Sequence, residues 1–408
     1  MSCFESCRSE LNLHATHIDG NISPTVEKSI IRIVQKEGFL DYKVDIRDIS
    51  TDGGNYLANL QEIEVKGKTK SGEKEIDLFI KNKLQTESCP IPIDEAYERE
   101  AFFYNELAEI YNELQEKANV PVEERLEIAK SYKESNSDAT ILENLAKKGY
   151  KTWSRFEPIS QQFAEISIKE LAKFHALSFA LQRKRPEYFE SKIKTIKHLM
   201  ELSSEWENYL GDVCAATASF LENEGYEKGL KVKFFSKIIE NYKLLVNPPD
   251  TLSTCLCHGD FRPNNIMILE ENGEIKKVIP VDYQIINYGC PVTDLIYFVF
   301  MGSDKNLRRD HLEDFKDLYY ETFENFLAHF NVRAKDVYSR ERFEKEYRYR
   351  IDNGLCSFLM ASPFLFGTDD DIPELNNGLS KVKINFKNPA CKERIRGVVD
   401  DFIQWGYL

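Results

Sequence analysis

The chain has 408 residues and a formal charge of −14, with 42% hydrophobic and 30% charged residues. That length exceeds one ordinary core and points to two lobes sharing a cleft. The acid excess and the dispersed basic residues exclude an electrostatic nucleic-acid surface, and no run reaches the roughly 18 apolar residues of a membrane span.

The start, MSCFESCRSELNLH, lacks the basic flank and apolar stretch of a signal peptide. The nine cysteines are odd in number and scattered, so reduced thiols and a cytoplasmic, monomeric protein are expected. Cys255-x-Cys257 has no second pair and no histidine at zinc-site spacing, which favours buried thiols over metal.

Ser23-Pro24 reads as the cap and first position of a helix carrying Val26, Ile30, Ile33 and Val34. Strand-like runs follow at 44–49, 56–65 and 75–80, separated by turn chemistry at Asp52-Gly53-Gly54-Asn55 and Thr69-Lys70-Ser71-Gly72. From Asp94 the spacing becomes helical through Ala96, Tyr97, Phe103, Tyr104, Leu107, Ile110 and Tyr111, a helix expected to pack on the meander. Residues 122–138 are polar and irregular. The run 139–145 is an apolar strand ending at a crossing point. Helical periodicity then covers 163–181, about 191–221, 231–245, 309–329 and 340–360. It is interrupted by strands at 266–269 and 275–281, joined by Glu-Glu-Asn-Gly. The expected architecture is α+β and bilobal. A small antiparallel-sheet lobe with one packed helix spans 1–140, and a larger, mainly helical lobe spans 141–408.

The segment Cys257-His-Gly-Asp-Phe-Arg-Pro-Asn-Asn265 fits H-x-D-x-x-x-x-N through His258, Asp260 and Asn265, and Asp282 follows at a strand end. An aspartate beside an acceptor hydroxyl can orient it and take its proton, while an asparagine and a second aspartate hold the magnesium that neutralises phosphates. Asp260 is the candidate base, and Asn265 and Asp282 are the candidate metal ligands. Lys81 closes the third strand, where a cation on the phosphates is needed; the alternative is a solvated strand-end lysine. Glu100 favours the first option, because it lies on the apolar stripe of the next helix, where a charge needs a partner. Gly53, Gly54 and Asn55 can expose backbone N–H groups to phosphate, although alone they are a hairpin turn. Glu143 to Leu145 can offer backbone groups to adenine or be an ordinary linker. Asp294 opens an apolar helix, where it can accept backbone N–H bonds and brace the catalytic loop; the plainer reading is a helix-start aspartate. His258 and His175 read as structural histidines.

Phe79-Ile-Lys81, Glu100-Ala-Phe-Phe-Tyr104, Ile141 to Leu145, Leu171-Ala-Lys-Phe-His-Ala-Leu-Ser178, Cys257 to Phe261, Asn264 to Met267, Asp282-Tyr-Gln284 and Asp294-Leu-Ile-Tyr297 occur in this order. Together they resemble the protein-kinase-like fold, in its branch of choline kinases and aminoglycoside phosphotransferases, and above all the ecdysteroid kinase-like family of insects. Gln284 matches that family's D-F-Q pattern rather than the D-x-E of choline and aminoglycoside kinases, with Tyr283 in place of phenylalanine. The resemblance runs over roughly residues 40 to 300. It implies ATP-dependent, magnesium-dependent phosphorylation of a steroid or similar hydroxyl, with the base and metal ligands on Asp260, Asn265 and Asp282.

Independently of the resemblance, Asp282 and Asp294 are only twelve positions apart, too close for an activation segment that docks a peptide. A small-molecule hydroxyl substrate is therefore expected. Tyr349, Phe358, Leu359, Phe364, Leu365 and Phe366 suit an apolar ligand, or equally a core. A choline- or aminoglycoside-type kinase and a catalytically silent hydrophobic-ligand carrier are the alternatives.

Overall fold

The computed structural model describes residues 15–19, 22–49, 58–84, 89–201, 203–367 and 378–408. The turn holding Gly53, Gly54 and Asn55 lies outside the described residues. Strand β1 (Ala15–Asp19) precedes helix α1 (Pro24–Lys36), which starts where the Ser23 side chain accepts from the Val26 N–H and Pro24 presets the first turn. Strands β2 (Phe39–Asp48), β3 (Ala58–Thr69), β4 (Gly72–Lys83) and β5 (Ala139–Glu143) pair antiparallel in sequence order. Strand β1 adds to the β2 edge in parallel, giving a five-stranded sheet.

Alternation along these strands turns Val44, Ile63, Val65, Leu78, Ile80 and Ile141 toward Val26, Ile30, Ile33 and Val34 of α1, forming a separate small core. The same period of two puts Lys81 on the opposite face. Three strands run further than their apolar residues predict, because their ends alternate with polar residues such as Glu64, Lys66 and Glu75 that pair across the sheet surface.

Helix α2 (Ile93–Phe102) carries Glu100 on its buried side. A single π turn at Phe103–Leu107 separates it from α3 (Ala108–Lys117), so the helix expected from Asp94 is continuous in path but not in winding. Beyond β5 and the short β6 (Tyr150–Thr152) come α4 (Gln161–Lys184), α5 (Ser204–Asn223) and α6 (Leu230–Val246). The helix expected over about 191–221 is shorter at its start, because Ser203 caps α5 through the Trp206 N–H and the backbone of Ile196 is drawn off to accept from Tyr288.

Strand β7 (Cys255–Cys257) pairs with β10 (Asn287–Gly289), and between them β8 (Ile266–Glu271) and β9 (Glu274–Pro280) form a hairpin. Asn272 and Gly273 both take positive φ at its tip, 55° and 80°, the geometry a tight Asn-Gly turn needs. The chain ends in α7 (Pro291–Gly302), α8 (Lys305–His329), α9 (Arg340–Arg350), α10 (Asp352–Phe366) and α11 (Pro389–Gln404). Ile351 divides the helix expected over 340–360 into two. Phe358, Leu359, Leu365 and Phe366 are buried in the main core, and Tyr349 is exposed. For these residues the choice between acceptor lining and core goes to core or surface.

Candidate active site

The loop after β7 is held from behind by α7. Asp294, in the first turn of α7, accepts the N–H of His258 at 2.6 Å and that of Gly259 at 3.1 Å. Gly259 sits at φ +82°, and a β-carbon there would stand 2.2 Å from the Ile285 carbonyl oxygen, so only glycine fits the turn. Burial holds His258 below the usual histidine range. Its neutral ring faces the Val281 carbonyl with Nε2 at 3.2 Å and the Asp260 N–H with Nδ1 at 3.4 Å, tying the loop to the strand before Asp282. The core histidine His175 lies between Tyr319, 2.7 Å from Nδ1, and Asp294, 3.1 Å from Nε2. Burial opposes its charge, but the Asp294 carboxylate and the Cys257 sulfur outweigh burial and raise it to about 9.

This loop delivers the Asp260 carboxylate with its direction set by three donors. Oδ2 accepts from Arg262 Nε at 3.0 Å and Asn265 Nδ2 at 2.8 Å, and Oδ1 accepts from the Tyr297 hydroxyl at 2.6 Å. Asn265 also donates to the Asp260 carbonyl at 3.0 Å, so its amide N–H₂ is spent and its Oδ1 is left as an acceptor. The Asn265 carbonyl in turn accepts the Val281 N–H at 2.9 Å. The candidate base and the two candidate metal ligands are therefore linked through the loop and the base of one hairpin.

Asp282 follows at φ 70°, ψ 65°, a left-handed conformation that costs a residue with a β-carbon roughly 1–2 kcal/mol. The next ring compensates: Tyr283 is fully buried, stacked on Phe103 of the π turn with centroids 3.5 Å apart, and 4.8 Å from His258. The strained backbone turns the Asp282 carboxylate toward the sheet, where Lys81 Nζ meets its Oδ1 at 2.7 Å. The same ammonium is 3.5 Å from Glu100 Oε2, which also accepts the Thr140 hydroxyl at 2.8 Å. Burial would strip the charge from Lys81, but Asp282 and Glu100 outweigh it and raise the lysine above its ordinary range. Burial raises Glu100 despite Lys81, whereas for Asp282 the lysine prevails over burial and lowers it.

Asn265 Oδ1 and Asp282 Oδ2 take no hydrogen bond among the described residues, and both are hard oxygen donors held by rigid backbone. That donor set fits a magnesium ion that keeps part of its water shell. At the exit of β5, Glu143 accepts the Lys130 N–H at 3.0 Å and pairs with Lys148. Buried Leu145 opens a short 3-10 turn capped by Asn144.

Sequence reasoning assigned no role to Thr140, Arg262 or Tyr297. A signal existed for Tyr297, since three residues after Asp294 on a helix is the same face. Thr140 gave none, being one residue of an apolar strand. The cysteines at the back of the loop also gain an unforeseen neighbour: His175 comes to Cys255 and Cys257 with ligand atoms within 4.8 Å of one another, although both its ring nitrogens already face Tyr319 and Asp294.

The family model described as "Ecdysteroid kinase-like family" matches residues 52–332. Among solved structures the chain is similar to an ethanolamine kinase of Plasmodium vivax, 14% identical, TM-score 0.38, covering 90% of this chain and 84% of that one. It is also similar to a choline/ethanolamine kinase family protein of Mesorhizobium loti, 12% identical, TM-score 0.36, covering 88% and 100%. A glucosamine kinase in complex with glucosamine, ADP and inorganic phosphate is 10% identical, TM-score 0.40, covering 87% and 93%. Those scores carry no argument beyond the likeness itself. Among curated proteins, a type II microfibrillar keratin of Ovis aries is 22% identical over 171 residues, 41% of this chain. The chain spans 31% of that keratin's length, and nothing about the site rests on it.

Proposed function

This chain belongs to the ecdysteroid kinase-like family, and from that premise we propose that it is an ATP-dependent small-molecule O-kinase, transferring the γ-phosphate to a hydroxyl of an ecdysteroid or similar apolar alcohol. One observation carries the reading. Lys81 bridges Glu100 and Asp282 while the Asp260 carboxylate, hydrogen-bonded to Asn265, stands in the loop that enters the hairpin Asp282 follows. Phosphoryl transfer asks the protein for positioning and charge stabilisation, and these groups supply both.

In the proposed step Asp260 orients the alcohol O–H and takes its proton as the oxygen bonds to the γ-phosphorus; the bond to the β-phosphate oxygen breaks and ADP leaves. Lys81, held by Glu100, binds phosphate oxygens. Asn265 Oδ1 and Asp282 Oδ2 would hold magnesium, which supplies neutralisation of phosphate charge. Asp294 and His258 keep the loop in register. Gly53, Gly54 and Asn55 are assigned to the phosphate cover, and the backbone of Glu143 to Leu145 to the adenine.

A choline- or aminoglycoside-type acceptor is the second reading, and Arg262 disfavours it. Its guanidinium stands 3.0 Å from Asp260 and offsets the negative charge that would draw a cationic head to the base. The test offers ecdysone, choline and an aminoglycoside with Mg-ATP and identifies products by mass spectrometry. A phosphorylated ecdysone supports the proposal, and product from choline or the aminoglycoside alone transfers it to the second reading. Without an Mg-ATP-dependent thermal shift, the silent ligand carrier replaces both.

A further inference from the structure

This inference rests on the reading of Asp260 as the base, and concerns where on that carboxylate the alcohol is received. Each carboxylate oxygen offers two acceptor positions. Both positions of Oδ2 are taken, by Arg262 and Asn265, whereas among the described residues Oδ1 accepts the Tyr297 hydroxyl alone. We propose that the acceptor hydroxyl docks on Oδ1 beside Tyr297, and that Tyr297 is a positioning residue for acceptor phosphorylation.

Tyr297 lies on α7, one helical turn after Asp294. A single helix thus fixes the loop twice, by its backbone through Asp294 and by its reacting side chain through Tyr297. The tyrosine hydroxyl donates to the oxygen that receives the substrate proton, so it sets the plane of the carboxylate and the direction of the open lone pair. Any alcohol on that lone pair lies against the phenol, and an aromatic body with a polar tip suits a hydroxyl on an apolar skeleton. Proton and phosphoryl transfer balance as in the step above, with the alcohol proton finishing on Oδ1 of Asp260. Tyr297 remains the donor throughout and neither gains nor loses a proton.

Tyr297→Phe keeps the ring and removes the one hydroxyl. The experiment measures Mg-ATP consumption by wild type and variant, with ecdysone and with water alone as the acceptor. The phenylalanine variant is expected to lose at least about tenfold in kcat while KM for Mg-ATP stays within about twofold. Tyr297→His, which keeps a ring N–H donor, is expected to fold and to turn over at least about threefold faster than the phenylalanine variant. A phenylalanine variant within about twofold of wild-type kcat overturns the role of Tyr297, as does a parallel loss of Mg-ATP affinity or equal turnover of the histidine and phenylalanine variants. Wild type that consumes no Mg-ATP in either condition overturns instead the proposed function on which this inference rests.

Discussion

Lys81 has two carboxylate partners: its side chain is 9% exposed, that of Glu100 2% and that of Asp282 29%. Removing the ammonium strands Glu100 in the interior and leaves Asp282 beside it without its cation. Lys81→Met should therefore cost about 3–5 kcal/mol in urea unfolding, and Glu100→Gln in the same chain should recover part of it. A single-variant loss below about 1 kcal/mol contradicts the buried network. His175 gives a pH signature at the same scale. Its folded-state value of about 9 lies above the roughly 6.5 of an unfolded histidine, so its contribution is complete below that lower value and is lost as pH rises toward the upper one. Stability should fall between those limits by on the order of 3 kcal/mol. His175→Gln should flatten that part of the profile. At this scale the sequence grouped Lys81 with Glu100 because a charge on an apolar stripe demands a partner. It did not show that Asp282 approaches the lysine more closely, since that contact depends on a left-handed residue 201 positions away.

Helix α7 and the β8–β9 hairpin convert these residues into a site. Asp294 on α7 receives two loop N–H groups, so Asp294→Ala should speed hydrogen exchange at His258 and Gly259 far more than at the α1 amides; equal change everywhere contradicts a local brace. Gly259→Ala adds to the ~1–2 kcal/mol cost of a left-handed β-carbon a collision with the Ile285 carbonyl, and should lower the denaturation midpoint by more than that cost alone. The hairpin was legible apart from its strand ends, which run closer to the Asn-Gly tip than expected, because Asn-Gly between apolar runs admits few alternatives. The π turn at Phe103–Leu107 was not. Its apolar residues keep helical spacing on average, and its cause is tertiary: Phe103 stacks on Tyr283 behind Asp282. The break at Ile351 is hidden for the same reason, since the helices on both sides have apolar faces that continue the period.

At the scale of the molecule, the described residues form a small core between α1 and the sheet, a large one through the helical part and a minor cluster at Ala58, Ile93 and Tyr97. The switch from period-two to helical spacing made the fold class readable. The parallel edge strand β1 and the fate of the C-terminal aromatics were not readable, because edge pairing and burial depend on neighbours that periodicity does not name. Among the described residues no helix is long and apolar enough to cross a membrane. The two ends of the proposed transfer come from different parts of the chain, Lys81 and Glu100 from the sheet and its helix, and Asp260, Asn265 and Asp282 from the loop and hairpin. The most direct measurement follows labelled γ-phosphate from Mg-ATP to ecdysone in a single turnover, with wild type and Asp260→Asn side by side. The expected result is labelled ecdysone phosphate from wild type and a rate about 10²–10⁴-fold lower from the variant, the share a general base contributes. Transfer by Asp260→Asn within a few-fold of wild type, or no labelled product from wild type, contradicts the account.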